Sequence, residues 1–369
     1  MTIAALLVDL LTRNWALVAM VTTIAFLMLF PYLIIMKYVR ISLNIMRDTK
    51  PPLSRAPLDF DPLDGTTVEF TARDGVPLQG LIVRGARPPA PAGAPTNPAR
   101  GMVVFCHEFC ADLSTAARYC RPLLDAGYDI FAFDFRGHGG SESVPGYSPR
   151  QWVSDGEVND MLGAIDFVDD LLRSENRPRT LGLFGVSRGA CAAILAAEQS
   201  PLVTAIVADG AFSTDTTIEF FMKRWAYIFA KVRVVYENHH PAFWRFLRWC
   251  MMHFARREFR CDFPSVRKSI MRSAPRAMLF IHGEKDSYLP LEQCRKLYAL
   301  AGQPKHIWVV PGARHNQAVT TAAQEYAERT TLFFDAYLAG DERAEARLSG
   351  AATAAGRAST PPHEPRVAA

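Results

Sequence analysis

Between residues 101 and 338 the sequence alternates short, mainly apolar segments with longer segments of helical periodicity. Strands that are apolar on both faces are typical of a parallel sheet covered by helices on both sides. We therefore predict an α/β fold with a mostly parallel central sheet. The predicted strands are 101–106, 128–134, 180–185, 203–209, 277–282 and 306–311, and the predicted helices are 113–126, 153–173, 188–199, 290–301 and 317–338.

A hairpin is predicted before this alternating region. Asp74-Gly75 lies between two strand-like runs within 67–85, and this dipeptide is favoured in tight hairpin turns. The segment 85–100 is rich in Pro, Ala and Gly, which predicts a loop.

The N-terminal region contains an apolar run, 14–36, without a single charged residue. As a helix this run is roughly 34 Å long at ~1.5 Å per residue, which is enough to cross a hydrocarbon core of about 30 Å. We predict a transmembrane helix at 14–36, preceded by a short segment, 1–13, and followed by a basic juxtamembrane linker, 37–57. A cleaved signal peptide and a buried core helix are the alternatives.

The main globular domain is expected at 58–340. The tail, 341–369, is rich in Ala, Arg and Pro, and we expect it to be disordered.

The positive charges that flank the apolar run predict its orientation. Only Arg13 lies before it, and cytoplasmic flanks carry the excess of Lys and Arg. The large domain is therefore expected in the cytoplasm. Seven cysteines without disulfide or zinc-site spacing agree with a reducing compartment. The residues after the run that carry this charge are Lys37, Arg40, Arg47, Lys50 and Arg55.

One segment, 213–276, interrupts the alternation of strands and helices. It is rich in large aromatic residues, and it holds thirteen Lys and Arg against five Asp and Glu, a surplus of eight positive charges. We predict a helical insertion. One interpretation is a cap that buries its aromatic side chains against the core. The other is a lid over an acyl-binding pocket, which also rests on an anionic membrane surface.

The stretch Gly185-Val186-Ser187-Arg188-Gly189 joins a predicted strand to a predicted helix. Glycine lacks the Cβ atom that would clash in a sharp strand-to-helix corner. The pattern G-x-S-x-G in this context predicts a nucleophile elbow, which projects the hydroxyl of Ser187.

Sites in parallel sheets form at the carboxyl ends of the strands. Ser187, Asp286 and His315 each follow a predicted strand, in the chain order that a nucleophile elbow on such a sheet uses. A serine hydroxyl needs a base, and His315 can take its proton and return it to the leaving group. Asp286 would hold the imidazole in the required tautomer.

Four motifs in this order resemble those of α/β-hydrolases. The resemblance covers about 60 to 340 and is greatest to monoacylglycerol lipases, serine-aminopeptidase-like proteins and small membrane-anchored acyl-protein thioesterases. It implies an α/β-hydrolase fold with Ser187 as nucleophile, Asp286 as acid and His315 as base. The motifs are FDFRGHGGSE (133–142), GVSRG (185–189), HGEKD (282–286) and GARH (312–315).

An oxyanion hole is expected from two backbone N–H groups. One belongs to Arg188, directly after the nucleophile, and the other to the loop after strand 101–106, where we assign Phe109. Relatives usually read His-Gly in that loop, whereas this chain reads His107-Glu108. Glutamate resists backbone conformations that glycine permits, which affects the expected placement of Phe109.

Other titratable residues near these motifs give alternative assignments. Some relatives place the acid after the preceding strand. In that arrangement Asp209 or Asp215 would be the acid. Three histidines compete with His315 as the base, although relatives use each of their positions structurally. These are His107, His138 and His282.

The sequence thus predicts a membrane-anchored serine hydrolase that cleaves an ester or thioester of a lipid-like or acylated substrate through an acyl-enzyme. No cofactor or metal is expected. The net charge of +4 is mild and does not suggest a nucleic-acid partner. A peptidase and a catalytically silent binding protein of the same fold are the alternatives.

Overall fold

The computed structural model describes residues 14–47, 61–87, 99–141, 144–229, 239–273 and 276–348. The chain divides into two compact units. The larger, which we call the sheet unit, consists of 49–220 and 261–369. The smaller, which we call the helical unit, consists of 1–48 and 221–260.

The sheet unit is built on eight strands in the order β1-β2-β4-β3-β5-β6-β7-β8. β2 pairs antiparallel with β1 and β4, and every later pairing is parallel. The predicted hairpin and the mostly parallel sheet are confirmed. The strands are β1 (Thr66–Thr71), β2 (Pro77–Val83), β3 (Met102–Cys106), β4 (Asp129–Phe133), β5 (Leu181–Val186), β6 (Val203–Asp209), β7 (Ala277–Gly283) and β8 (Lys305–Val310).

Helices connect the parallel strands. α2 and α10 pack on one face of the sheet, and α3, α4, α7 and α8 pack on the other. The helices are α1 (Trp15–Arg47), α2 (Ala116–Asp125), α3 (Asp155–Ser174), α4 (Arg188–Ala197), α5 (Thr214–Phe229), α6 (Pro241–Phe259), α7 (Val266–Arg272), α8 (Leu291–Leu300), α9 (Ala318–Thr321) and α10 (Ala323–Tyr337).

The core of the sheet unit follows from the apolar strands. Every residue of β3, β4, β5 and β7 is buried, as expected for strands covered on both faces. Phe105 and Phe184 form part of the cluster under α2 and α10. Burial of one such side chain contributes about 1.5–3 kcal/mol, so these strands fix the sheet against which the site is built.

The helical unit contains α1, which is 33 residues long and apolar enough to cross a membrane. Its first half is exposed, whereas Val39, Leu43 and Met46 are buried, and α1 packs against α6. Arg47 at its end forms an ion pair with Glu258 of α6. The predicted linker 37–57 is therefore wrong at its start, because the helix continues to Arg47.

The predicted insertion 213–276 is helical at α5, α6 and α7, which confirms that expectation for the described residues. It does not form one cap, however. Residues 221–260 group with α1 in the helical unit, and 261–276 belong to the sheet unit.

The predicted disordered tail, 341–369, is wrong over its first part. Residues 342–348 form a helix, and Ala344 and Leu348 are buried in the core of the sheet unit. The remainder of that prediction, 349–369, lies outside the described residues.

Candidate active site

Ser187 lies at the corner between β5 and α4, as the elbow predicts. Its backbone has φ 51° and ψ −113°, a conformation that residues with a side chain rarely adopt. Its N–H donates to the carbonyl oxygen of Asp209 at 2.6 Å, and its carbonyl oxygen accepts from the N–H of Cys191 at 3.2 Å. These two bonds fix a strained residue so that its hydroxyl leaves the sheet edge.

Both glycines of the elbow are required by close backbone contacts. A Cβ atom on Gly185 would lie 2.4 Å from Cα of Ala190, at the start of α4. A Cβ atom on Gly189 would lie 2.1 Å from the carbonyl oxygen of Cys106, at the end of β3. Any larger residue would push α4 away from the sheet, and Ser187 would move with it.

The structure brings together the three residues that the sequence assigns to catalysis. Oγ of Ser187 lies 2.9 Å from Nε2 of His315, and Nδ1 of His315 lies 2.7 Å from Oδ2 of Asp286. Each of the three residues is less than a tenth exposed, with Ser187 at 7%, Asp286 at 9% and His315 at 6%. The chain of contacts is a hydroxyl, an imidazole and a carboxylate, in that order.

Backbone groups hold Asp286 in place after β7. Its Oδ1 accepts from the N–H of Tyr288 at 2.9 Å and from the N–H of Leu289 at 2.7 Å. Both lone-pair directions of Oδ1 are thus occupied, and Oδ2 is aimed at His315. Ionised carboxylates accept such bonds strongly, so this turn fixes the direction of the carboxylate.

Two neighbours of His315 were not predicted from the sequence. The ring of Tyr288 lies 5.2 Å from the imidazole, centroid to centroid. A Cβ atom on Gly210, which has φ 65°, would lie 3.3 Å from Cε1 of His315. Gly210 directly follows β6 and is needed both for its left-handed backbone and for the room it leaves beside the imidazole.

Comparisons with known proteins identify chains that this one resembles. Residues 97–242 match the family model described as serine aminopeptidase, S33. YfhR of Escherichia coli strain K12, an uncharacterised protein, is 26% identical over 260 residues, which are 70% of this chain and 76% of YfhR. YqkD of Bacillus subtilis, also uncharacterised, is 23% identical over 288 residues, 75% of this chain and 81% of YqkD.

An esterase of Pyrococcus furiosus has a similar structure, with a TM-score of 0.53 and 22% identity over 78% of this chain and 95% of that chain. The acylaminoacyl peptidase of Pyrococcus horikoshii has a TM-score of 0.50 and 16% identity over 76% of this chain and 43% of that chain. The chain has the α/β-hydrolase fold. The fold predicted from the four motifs is therefore confirmed.

Within this fold two of the competing histidines have structural roles. Nε2 of His107 accepts from the N–H of Phe135 at 3.1 Å, so its Nδ1–H donates to the carbonyl oxygen of Glu108 at 2.7 Å. His138 donates from Nδ1 to the carbonyl oxygen of Arg136 at 3.0 Å. Burial and the charge of Arg188 lower the pKa of His107 to about 3 and that of His138 to about 2. Both are neutral at pH 7.

The third competing histidine, His282, lies beside Asp286. Its Nε2 donates to the carbonyl oxygen of Leu289 at 2.8 Å and lies 3.6 Å from Oδ2 of Asp286. Burial lowers the pKa of His282. It therefore supports the turn that carries Asp286 and does not reach Ser187 by any described hydrogen bond.

The two alternative acids have other partners. Oδ2 of Asp209 accepts from the hydroxyl of Tyr326 at 2.8 Å, and burial raises the pKa of Asp209 to about 7. Oδ1 of Asp215 accepts from the hydroxyl of Ser213 at 2.6 Å. Among the described hydrogen bonds His315 contacts Asp286 and neither of these carboxyl groups.

The loop after β3, where the second oxyanion donor was predicted, departs from expectation. Cys110, with φ 62°, is the residue of this loop in the left-handed region, and Glu108 is not. Position 108, where relatives usually have glycine, therefore holds glutamate without backbone strain. One carboxyl oxygen of Glu108 is buried without a hydrogen-bond partner in the described part of the chain, and burial raises its pKa.

The side chain of Arg188 was not predicted to have a role, and the structure places it under the oxyanion loop. Its guanidinium is fully buried and lies 5.3 Å from the ring centroid of Phe109 and 5.2 Å from that of Phe135. It also donates to Nε2 of His138 at 3.2 Å and to the carbonyl oxygen of Arg150 at 3.0 Å. Arg188 thus links the helix of the nucleophile to the loop that carries Phe109.

The described residues contain no group of three or more His, Cys, Asp or Glu side chains placed to hold a metal ion. Five of the seven cysteines are buried.

Proposed function

We propose that the protein is a membrane-anchored serine hydrolase that cleaves carboxylic esters or thioesters of lipid-like or acylated substrates. The observation that carries this proposal is the continuous contact from Oγ of Ser187 through His315 to Asp286, at the carboxyl edge of the sheet. No other serine of the described residues combines an elbow with a histidine within hydrogen-bond distance.

The reaction starts with the proton of Ser187. Nε2 of His315 accepts that proton as Oγ attacks the carbonyl carbon of the substrate, and Asp286 stabilises the imidazolium that forms. The tetrahedral intermediate then collapses. His315 returns the proton to the departing alcohol or thiol, and an acyl-Ser187 ester remains. A water molecule repeats the sequence, and the carboxylic acid leaves.

The negative oxygen of the tetrahedral intermediate needs fixed donors. We assign the backbone N–H groups of Arg188 and Phe109. Each such donor contributes about 3–4 kcal/mol to the stability of the transition state in comparable sites. Support comes from the packing of the Arg188 guanidinium against the Phe109 ring, which ties both donors to one buried group.

The substrate class is proposed from the helical unit. α1 is exposed along its apolar first half, and Tyr227, Phe246 and Trp249 are exposed on α5 and α6. Large aromatic rings are favoured at the interface between lipid and water. Arginines lie beside them on α6, and an anionic surface attracts each nearby basic residue by about 1 kcal/mol. A protein held at a membrane in this way meets substrates that carry acyl chains.

A substrate panel tests the hydrolase and its specificity. We expect hydrolysis of p-nitrophenyl esters of graded acyl length and of acyl-thioesters, with a higher kcat/KM than for aminoacyl amides. A fluorophosphonate probe should also label Ser187 covalently. The alternatives predict different outcomes. Faster turnover of the amides would favour the peptidase suggested by the family description. An absence of labelling would favour a catalytically silent protein.

We further propose that the sheet unit lies in the cytoplasm, because Lys37, Arg40 and Arg47 follow the apolar part of α1. Two exposed residues allow a matched test. Gln199→Cys reports on the sheet unit, and Arg245→Cys reports on the proposed membrane surface of α6. On intact cells, a membrane-impermeant maleimide should label neither variant more than it labels the unchanged protein.

After the membranes are opened, the maleimide should label Gln199→Cys rapidly. Arg245→Cys should react slowly at low salt and faster as salt rises, because about 1 M salt reduces the screening length to roughly 3 Å. Labelling of Gln199→Cys on intact cells would place the sheet unit outside. Equal rates for both cysteines at low salt would exclude the membrane surface on α6.

A further inference from the structure

A cavity of about 300 Å³ lies within the helical unit, between α1, α5 and α6. Its walls are almost wholly apolar, and the lining residues that carry a hydroxyl or an imidazole are Tyr38, Ser42 and His239. An apolar cavity of this kind stays dry and takes up apolar ligands. Its chemistry thus fits a hydrocarbon chain.

The position of the cavity along α1 indicates where such a chain would enter. The cavity runs from Phe30 to Ser42, which is about 18 Å at ~1.5 Å per residue. It begins inside the uncharged part of α1 and continues past Lys37, the first cation after that part. Phe30 and Ile34 line the cavity and are still 53% and 39% exposed. The cavity is therefore open on the side of α1 that is apolar and exposed.

One cation lies beside the wall of the cavity. The ammonium group of Lys223 lies 5.9 Å from the ring centroid of Trp244, which forms part of the cavity wall. The ring of His239, another wall residue, stacks on Phe243 at 4.4 Å between centroids. A ligand with an apolar chain and an anionic head would suit an apolar cavity that has a cation beside its wall.

We propose that this cavity binds one acyl chain of an anionic glycerophospholipid, drawn from the surrounding leaflet with its phosphate toward Lys223. The inference rests on the proposed membrane placement of α1. It goes beyond the proposed hydrolysis, because the site lies wholly within the helical unit and needs none of the three catalytic residues.

The experiment uses the full chain in lipid nanodiscs of phosphatidylcholine and phosphatidylglycerol. A trace of phosphatidylglycerol carries a photoreactive diazirine at the end of one acyl chain, and adducts are mapped by mass spectrometry of peptides. We expect adducts concentrated on α1 from Phe30 to Ser42 and on the facing parts of α5 and α6. The Ser187→Ala variant should give the same pattern, which separates this site from catalysis.

Two pairs of variants test the assignment. Ile34→Trp blocks the open side, and its control is Leu27→Trp, which is also exposed, lies seven residues earlier on the same face and does not line the cavity. Ala226→Trp fills the interior, and its control is the exposed Ala242→Trp. Each blocking variant should lower the adducts on α6 about tenfold, equivalent to roughly 1.4 kcal/mol of binding. The controls should leave them unchanged.

Three results would overturn the proposal. Adducts spread evenly along the exposed face of α1 would mean that lipid only surrounds the helix. Blocking variants that give as many adducts on α6 as their controls would place the bound acyl chain elsewhere. Adducts obtained with a photoreactive free fatty acid but not with the phospholipid would make the cavity a fatty-acid site. Extraction of the unchanged protein by alkaline carbonate would instead contradict the membrane placement, independently of Ser187.

Discussion

Ser187→Ala is expected to reduce the hydrolysis of a p-nitrophenyl ester by roughly a thousandfold or more, because the residual rate then comes from the oxyanion donors and binding alone. The fold should survive. Ser187 owes its position to backbone bonds with Asp209 and Cys191, and alanine keeps both. The measurement is kcat under saturating substrate, together with a thermal unfolding curve for each variant.

Ser200→Ala is the matched control for this change. Ser200 is also buried, and it lies after α4, on the same strand–helix–strand unit as the elbow. Its loss should leave kcat near that of the unchanged protein. If Ser187→Ala keeps most of its esterase activity while remaining folded, another group is the nucleophile and the proposed mechanism is wrong.

The sheet could be predicted closely because burial on both faces leaves a plain signal. The apolar run at 203–209 is β6 without any change of limits, and the run at 277–282 is β7 extended by Gly283 alone. Each strand must exclude polar residues from both faces, so its limits follow from composition. Helices on the surface have a weaker signal, so α2 begins three residues after its predicted start, and the predicted helix 317–338 is divided into α9 and α10.

The helical unit could not be predicted in the same way. Its two parts are separated by the 172 residues of 49–220, and sequence periodicity says nothing about which distant segments pack together. One signal was present, however. Val39, Leu43 and Met46 recur at helical spacing within the predicted linker, and they are buried where α1 packs against α6. The basic residues between them favoured a linker when only composition was considered.

The contact between Ser187, His315 and Asp286 was predictable because the chemistry of a serine triad admits few residue types and the topology orders them. The supporting groups were not. The N–H groups that hold Asp286 belong to Tyr288 and Leu289, and any residue other than proline can donate them. The buried guanidinium of Arg188 is stabilised by groups from other segments of the chain, among them the ring of Phe109, the carbonyl oxygen of Arg150 and the carboxylate of Glu157.

Asp286→Asn is expected to lower kcat by about 10⁴-fold, the loss that a wrong histidine tautomer causes in a serine triad. The side-chain carbonyl oxygen of the introduced asparagine would stay with the N–H groups of Tyr288 and Leu289, which need an acceptor. The amide nitrogen of the same side chain would then donate to Nδ1 of His315, so the proton moves to Nε2. In that tautomer Nε2 donates to Ser187 and no longer accepts its proton.

Asp209→Asn is the control that decides between the two acids, because Asp209 is also buried at the carboxyl edge of the sheet. It bonds Tyr326 and not His315, so its loss should cost about 1 kcal/mol of stability and leave kcat close to normal. A double variant of Asp286→Asn with Ser187→Ala should be scarcely slower than Ser187→Ala alone, since residues of one catalytic unit are not additive. Near-normal kcat in Asp286→Asn with a large loss in Asp209→Asn would move the acid to β6, and fully additive losses would show that Asp286 acts outside the triad.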